Sequence, residues 1–292
     1  MIDPVTEAGD EVARRVARDR ALLVFDFDGT LAPIVEDRAQ ATMRSETRAL
    51  LRATALLYPC AVISGRMRSD VAARVSDVPL VAVIGCHGAE AGFGPLDRSL
   101  QRRVASWRGE LERALRGCAG IEIEDKRFSI AVHTRRARSR PEAERRVRSA
   151  AAMLDGAVVF GGHAVVNVLP EDAPTKGDAV RQLCERFGTR IAMYVGDDRT
   201  DEEAFRAEVV GMSILVGGER DSSAGYRLAD QSHVDALLCA LVAARARQDG
   251  RGDRWEGLVR AMGPRTAPQP SRAARPGVLS ARPPPSPAPR GG

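Results

Sequence analysis

Two aspartates two positions apart, Asp26 and Asp28, close the apolar run of "LLVFDFDGTLAPI" at residues 22–34 and are followed at once by Gly29 and Thr30. Carboxylates so close repel each other, a cost offset by a cation, a shared proton or both. On its own Asp-Gly-Thr makes an ordinary turn, but after a buried strand it stands where α/β sheets bind ligands. Acidic residues recur in "YVGDDRTDEEAF", where Asp197 and Asp198 end another apolar run and Asp201 follows one turn later. Were these to converge with Asp26 and Asp28, the accumulated charge would require a metal, and oxygen donors without histidine or thiolate favour Mg²⁺. A cation of the chain's own is offered by "APTKGDAV". There Lys176 opens a helix behind a capping Thr175, so that ammonium and helix dipole face one anion. Ser64 and Arg66 end a further apolar run, "AVISGR".

Residues so far apart in sequence need a scaffold that gathers strand ends. Short apolar strands are expected at 21–27, 60–63, 80–85, 191–196 and 212–216, and amphipathic helices at 45–57, 67–76, 176–187, 200–208 and 233–247. This alternation predicts an α/β fold: a doubly wound, mostly parallel sheet covered by helices. Residues 93–170 break the pattern, with a helix near 97–116, "IEIE", "RFSIAVHT", a helix after Pro141, and "AVVFGGHAVVNVLP" as a hairpin turning at Gly161 and Gly162. A small, mainly antiparallel sheet with helices on one face is expected there, inserted in a core of residues 1–92 and 171–262. If Ile121, Ile123, Phe128, Ile130 and Val132 face the insert's helices, then Glu122, Glu124, Ser129, Ala131 and His133 face the core's strand ends.

The string "FDFDGTLAP" resembles the first motif of the haloacid dehalogenase superfamily's phosphatases, and "AVISGR", Lys176 and "GDDRTDEEAF" resemble the following motifs in order. That resemblance implies a Rossmann-like core with an inserted cap and an aspartyl-phosphate mechanism. Asp26 would be the nucleophile, and Asp28 would protonate the leaving alcohol and later activate water, carrying its proton when substrate arrives. Ser64 and Lys176 would hold the phosphate. Asp26, the Asp28 carbonyl and Asp197 would hold Mg²⁺, with Asp198 and Asp201 in support. "GCHGAE" at 85–90 and "EDKRFSIAVHTRR" at 124–136 are similar to motifs of the trehalose-6-phosphate phosphatase family. From these, Arg66, His87, Glu90, Glu124, Lys126, His133 and Asn167 are expected to contact a sugar phosphate. The family often has tyrosine where Thr134 stands, and a glutamate and an arginine where Asn167 and Leu169 stand. Those departures leave glucosyl- or mannosyl-3-phosphoglycerate and sucrose 6-phosphate as alternative substrates, and a sugar-phosphate-sensing pseudoenzyme as the non-catalytic alternative.

Bulk properties narrow the partners. The net charge of +5 resides in residues 263–292, which hold five arginines, nine of the 17 prolines and no acid, leaving 39 residues of each sign in 1–262. A neutral body argues against nucleic acid as a partner, and the tail's composition predicts disorder. The five cysteines are scattered without paired spacing, so neither a disulfide framework nor a zinc site is expected. With no apolar run of membrane-spanning length and a charged N-terminus, the chain is expected to act in the cytoplasm on a small-molecule substrate, away from membranes.

Overall fold

All four residues of β1 (Leu22–Phe25) are apolar and buried, as a strand covered on both faces requires. It pairs in parallel with β2 (Cys60–Ile63) on one side and β8 (Ala192–Gly196) on the other. β3 (Ala82–Ile84), β9 (Val210–Val216) and β10 (Tyr226–Leu228) complete a parallel six-stranded sheet ordered β10-β9-β8-β1-β2-β3. The computed structural model describes residues 7–91, 97–162, 164–218 and 220–249. The expected tail at 263–292 lies outside them.

Alternation along β1 divides the core in two. Leu23 and Phe25 pack with α1 (Glu7–Asp19), α2 (Ser45–Ala55), α3 (Arg68–Arg74) and α8 (His233–Gln248). Leu22 and Val24 pack with α6 (Lys176–Phe187) and α7 (Glu202–Phe205). Truncating a fully buried aromatic such as Phe25 to alanine would cost roughly 3–5 kcal/mol. α1 has no counterpart among the expected elements, because its buried stripe is only Val12, Ala13, Val16 and Ala17 in a heavily charged segment. It lies against α8, where Arg245 Nη1 donates to the Ala17 carbonyl at 3.3 Å. Glu11 and Arg14 share a surface groove with Arg247 and Gln248. β10 was likewise not anticipated, being three residues long.

Between β3 and α6 the chain forms α4 (Arg98–Ala114), β4 (Glu122–Asp125), β5 (Ile130–His133), α5 (Arg140–Ala151), β6 (Ala157–Gly162) and β7 (Val165–Pro170). The strands make an antiparallel sheet ordered β4-β5-β7-β6. Ile130, Val132, Val166 and Val168 meet Trp107, Leu111 and Val147 of the two helices, with Ile121 and Ile123 packed alongside. Phe128 departs from the expected face and packs with Cys86, Leu100 and Ala173, where the insert meets the core. The hairpin does not turn at Gly161 and Gly162. Both pair across to β7, with Val166 and Val165, and beyond them Ala164 takes a left-handed φ of 57°. Among the described residues no helix is long and apolar enough to cross a membrane.

Candidate active site

Strand order reverses between β1 and β8, and open α/β sheets bind ligands beyond the carboxyl strand ends at such a switch. Asp26 follows β1 and Asp197 follows β8, so topology sets these carboxylates side by side. Asp26 is 4% exposed. Its N–H donates to the Val195 carbonyl at 2.9 Å, tying it to the neighbouring strand. Lys176 is buried at the first position of α6, and its Nζ donates to Asp26 Oδ1 and Asp201 Oδ1, both at 2.7 Å. The helix start that aims it is a capping box: Thr175 Oγ1 accepts from the Asp178 N–H at 3.2 Å, and Asp178 Oδ2 from the Thr175 N–H at 2.9 Å. Burial works against the Lys176 charge, but Asp201 and Asp26 outweigh it and hold its pKa well above the ordinary lysine value.

Asp201 has both oxygens committed. Oδ1 also accepts from the Tyr194 hydroxyl at 2.7 Å, while Oδ2 accepts from the backbone N–H groups of Asp197 and Asp198 at 3.0 and 2.9 Å. Asp198 caps the following turn through the Arg199 N–H at 2.7 Å. Asp197 differs, since its Oδ1 is buried with no hydrogen-bond partner among the described residues. Burial drives its carboxyl well above the usual range, with Asp26 and Asp201 adding to the rise. Burial also pushes Asp26 up, to about 7, against the pull of Lys176. Oxygens of Asp26, Asp197 and Asp201 lie within 4.8 Å of one another. Carboxylates that cannot all ionise unaided, one with an orphaned oxygen, fit a divalent cation held by oxygen. Gly29 makes the room: its φ is +84°, and a Cβ there would stand 2.0 Å from Asp197 Oδ2.

Asp28 is turned toward Arg66. Arg66 Nε and Nη2 donate to its two oxygens at 2.7 Å each, while Nη1 donates to Asp70 at 2.8 Å. Arg66 therefore holds the expected acid/base residue, a fork-to-fork contact that sequence spacing does not reveal. With both Asp28 oxygens accepting, delivery of a proton requires one of them to be exchanged. Ser64 lies behind this pair, its Oγ accepting from the Arg66 N–H at 3.2 Å, while Gly65 and Arg66 form the cavity wall.

A cavity of about 1310 Å³ joins this end, with Asp26, Asp28 and Lys176, to an end on the insert with Glu124, Lys126 and His133. Asn167 lines it too. Glu124 Oε2 and His133 Nε2 are 2.8 Å apart. Burial opposes the Glu124 charge, but His133, Lys126 and Arg38 hold its pKa at about 2. Lys126 is 1% exposed and donates to the Gly65 carbonyl at 3.1 Å, tethering insert to core. Burial, reinforced by Arg38, lowers its pKa to about 8. His87 has a left-handed φ of 58°, a buried Nδ1 with no hydrogen-bond partner among the described residues and a ring edge-on to Phe160 at 5.6 Å between centroids. Burial, then the charges of Lys176, Lys126 and Arg38, hold it neutral. Glu90 is placed elsewhere: its Oε2 accepts from the Arg68 N–H at 2.6 Å, off the cavity wall. Arg38 and Tyr194 were not anticipated.

A profile of the trehalose-phosphatase family matches residues 24–232. The chain belongs to the trehalose-phosphatase family. A trehalose-phosphate phosphatase of Mycobacterium marinum is 33% identical over 233 residues, covering 74% of this chain and 60% of that protein. An uncharacterized glycosyl hydrolase of Mycobacterium tuberculosis is 36% identical over 245 residues, which is 75% of this chain but 18% of that protein. The chain thus spans only part of these relatives. The C-terminal domain of trehalose-6-phosphate phosphatase from C. albicans superposes with a TM-score of 0.65 at 20% identity, over 82% of this chain and 98% of that one. A phosphatase of the haloalkanoate (HAD) superfamily from Bacteroides thetaiotaomicron gives 0.55 at 17% identity, over 79% and 95%. These two likenesses place the trehalose-phosphatase family fold of this chain, parallel core plus inserted antiparallel sheet, among the haloacid dehalogenase folds.

Proposed function

We propose that this chain hydrolyses trehalose 6-phosphate to trehalose and inorganic phosphate, with residues 93–170 selecting the sugar and the remainder of the fold performing the chemistry. The observation that carries this reading is the buried Asp26, paired with Lys176 at 2.7 Å at one end of a cavity whose other end presents Glu124, Lys126 and His133. Asp26 attacks phosphorus as the ester P–O bond breaks, and the departing sugar oxygen takes a proton from Asp28. Water then attacks the aspartyl phosphate, giving a proton to Asp28, and the bond to Asp26 breaks to release phosphate. For both steps Asp28 exchanges one of its Arg66 hydrogen bonds for the reacting oxygen. Lys176 holds phosphate oxygens beside Asp26, and Ser64, whose Oγ accepts from the Arg66 N–H, is the hydroxyl assigned to donate to the same group. Mg²⁺, held by Asp26, Asp197 and the Asp28 carbonyl and supported by Asp198 and Asp201, would offset the charge between nucleophile and phosphate.

His87, Asn167, Glu124, Lys126 and His133 are assigned to the disaccharide, whose hydroxyls both donate and accept. A second reading, a glucosyl- or mannosyl-3-phosphoglycerate or sucrose 6-phosphate, is favoured only by the uncharged Asn167 at the insert end. Five free cysteines suit a reducing cytoplasm. The test is phosphate release across a panel of sugar phosphates in Mg²⁺, with Asp26→Asn as control. Trehalose 6-phosphate is expected to be the best substrate and the variant inactive. Preference for another member of the panel would replace the substrate, and turnover by folded Asp26→Asn would remove the mechanism.

A further inference from the structure

Among the described residues, three arginines of the cavity wall, Arg38, Arg135 and Arg136, donate no hydrogen bond from the guanidinium, and Arg38 is the one that stands beside Asp28. Arg38 opens the 3-10 turn Arg38–Gln40, which is held from several sides. Asp37 Oδ1 accepts from the Ala39 N–H at 2.9 Å, Arg66 Nη2 donates to the Arg38 carbonyl at 2.8 Å, and Arg74 Nη2 donates to the Ala39 carbonyl at 3.1 Å. From this rigid turn the Arg38 side chain, 38% exposed, lines the cavity shared by Asp28, Glu124 and Lys126. Its Nη2 stands 3.8 Å from Asp28 Oδ2, beyond hydrogen-bond range, and Asp28 is already occupied by Arg66 on both oxygens. Among the described residues the Arg38 guanidinium donates no hydrogen bond. Its charge nonetheless bears on Lys126, Glu124 and His87, which sets it between the two ends of the cavity.

We infer that Arg38 is a substrate-recognition residue, its guanidinium donating to hydroxyl oxygens of the sugar ring that carries the phosphate. This deepens the reading under Proposed function and rests on it. The sugar oxygen must come to Asp28 to receive its proton, so the ring attached to it passes beside Arg38. A planar fork of five donors matches two neighbouring ring oxygens, and the braced turn lowers the cost of ordering it. Phosphate is a poorer assignment, because Lys176 already supplies a cation beside Asp26. A role in merely holding Asp28 is also redundant, since Arg66 does so at 2.7 Å.

The experiment compares the full-length parent with Arg38→Ala and Arg38→Lys, Mg²⁺-loaded and checked for folding by thermal melting, on trehalose 6-phosphate and on p-nitrophenyl phosphate. Arg38→Ala is expected to lose about 10- to 100-fold in kcat/KM on the sugar phosphate, mainly through KM. That loss should exceed the one on the aryl ester by at least about tenfold, with lysine restoring only part of it. Equal losses on both substrates, a loss confined to kcat, or no loss would each overturn the inference. The parent's own turnover of trehalose 6-phosphate is the separate check on the proposed substrate. If that is absent, the same ratio is read on the glycosyl phosphate the parent hydrolyses best. A parent that hydrolyses the aryl ester and no glycosyl phosphate would overturn both.

Discussion

Replacing Lys126 by methionine should make the protein more stable and less able to bind its substrate. Lys126 is 1% exposed, and its pKa falls from 10.5 to about 8 because burial disfavours the ammonium, with Arg38 adding to the effect and Glu124 opposing it. A folded pKa below the unfolded one means that folding is penalised while the side chain must stay charged. At about 1.4 kcal/mol per pH unit the penalty at pH 7 is about 3 kcal/mol. Methionine fills similar volume without the charge, and the Gly65 carbonyl loses a donor worth about 1 kcal/mol. The net gain at pH 7 is about 2 kcal/mol, or roughly 4–8 °C in Tm for a chain of this size. The sign also fixes the pH window. Between about 8 and 10.5 the folded state binds fewer protons than the unfolded chain, so the parent gains stability as pH rises and the advantage of Lys126→Met shrinks. Urea unfolding of both proteins at pH 7 and 9.5 reads this directly, and more than half of the pH 7 penalty should be gone at the higher pH. A variant less stable than the parent at pH 7, or an advantage equally large at both pH values, would refute the reasoning. The same variant should raise KM for the sugar phosphate about tenfold or more, since a buried cation is lost from the cavity wall.

Mg²⁺ at about 100 times its Kd should stabilise the parent by about 2.7 kcal/mol, and Asp197→Asn should abolish that shift in a melting experiment. Because the Asp26 carboxyl is raised from 3.8 to about 7, the metal-free folded protein holds a proton that the unfolded chain has lost, so its stability should decline from about pH 4 to 7. The Mg²⁺-induced rise should grow over the same interval, and a flat metal-free profile would contradict this. Gly29→Ala, with a Cβ placed 2.0 Å from Asp197 Oδ2 at a φ of +84°, should lower Mg²⁺ affinity at least about tenfold by calorimetry; unchanged affinity would show that Asp197 is free to move. Glu124→Ala should cut kcat/KM for trehalose 6-phosphate by about 10- to 100-fold, and by far less for p-nitrophenyl phosphate. Parallel losses on the two substrates would make Glu124 a structural partner of His133 alone.

What could be read ahead of the structure was whatever a short window of chain determines. Asp26 and Asp197 are legible because each closes a run buried on both faces, and a charged residue at such a strand end has few structural uses. The Thr175 cap and the helix beginning at Lys176 are legible because capping is a matter of three residues. Period-two alternation placed Ile130 and Val132 on the helix-covered face of the insert. The contacts that set the geometry are not local. Arg66 reaches Asp28 across 38 positions and Lys126 reaches Gly65 across 61, and neither pairing leaves a trace in spacing. Glu90 was misplaced for the same reason, since its partner is a backbone N–H 22 positions away that composition cannot reveal. In the hairpin Gly161 and Gly162 look like the turn, yet both remain in the strand and Ala164 adopts the left-handed conformation usually left to glycine.

The packing of α1 against α8 has a bearing on how this fold can be joined to others. Glu11 near one end of the described chain and Gln248 near the other wall the same surface groove, and neither helix lines the catalytic cavity. α1 and α8, the first and last described elements, therefore flank one surface groove whose lining shares no residue with the cavity that holds Asp26. A polypeptide carrying this fold in its interior would meet it through two helices that pack on each other, neither of which lines that cavity.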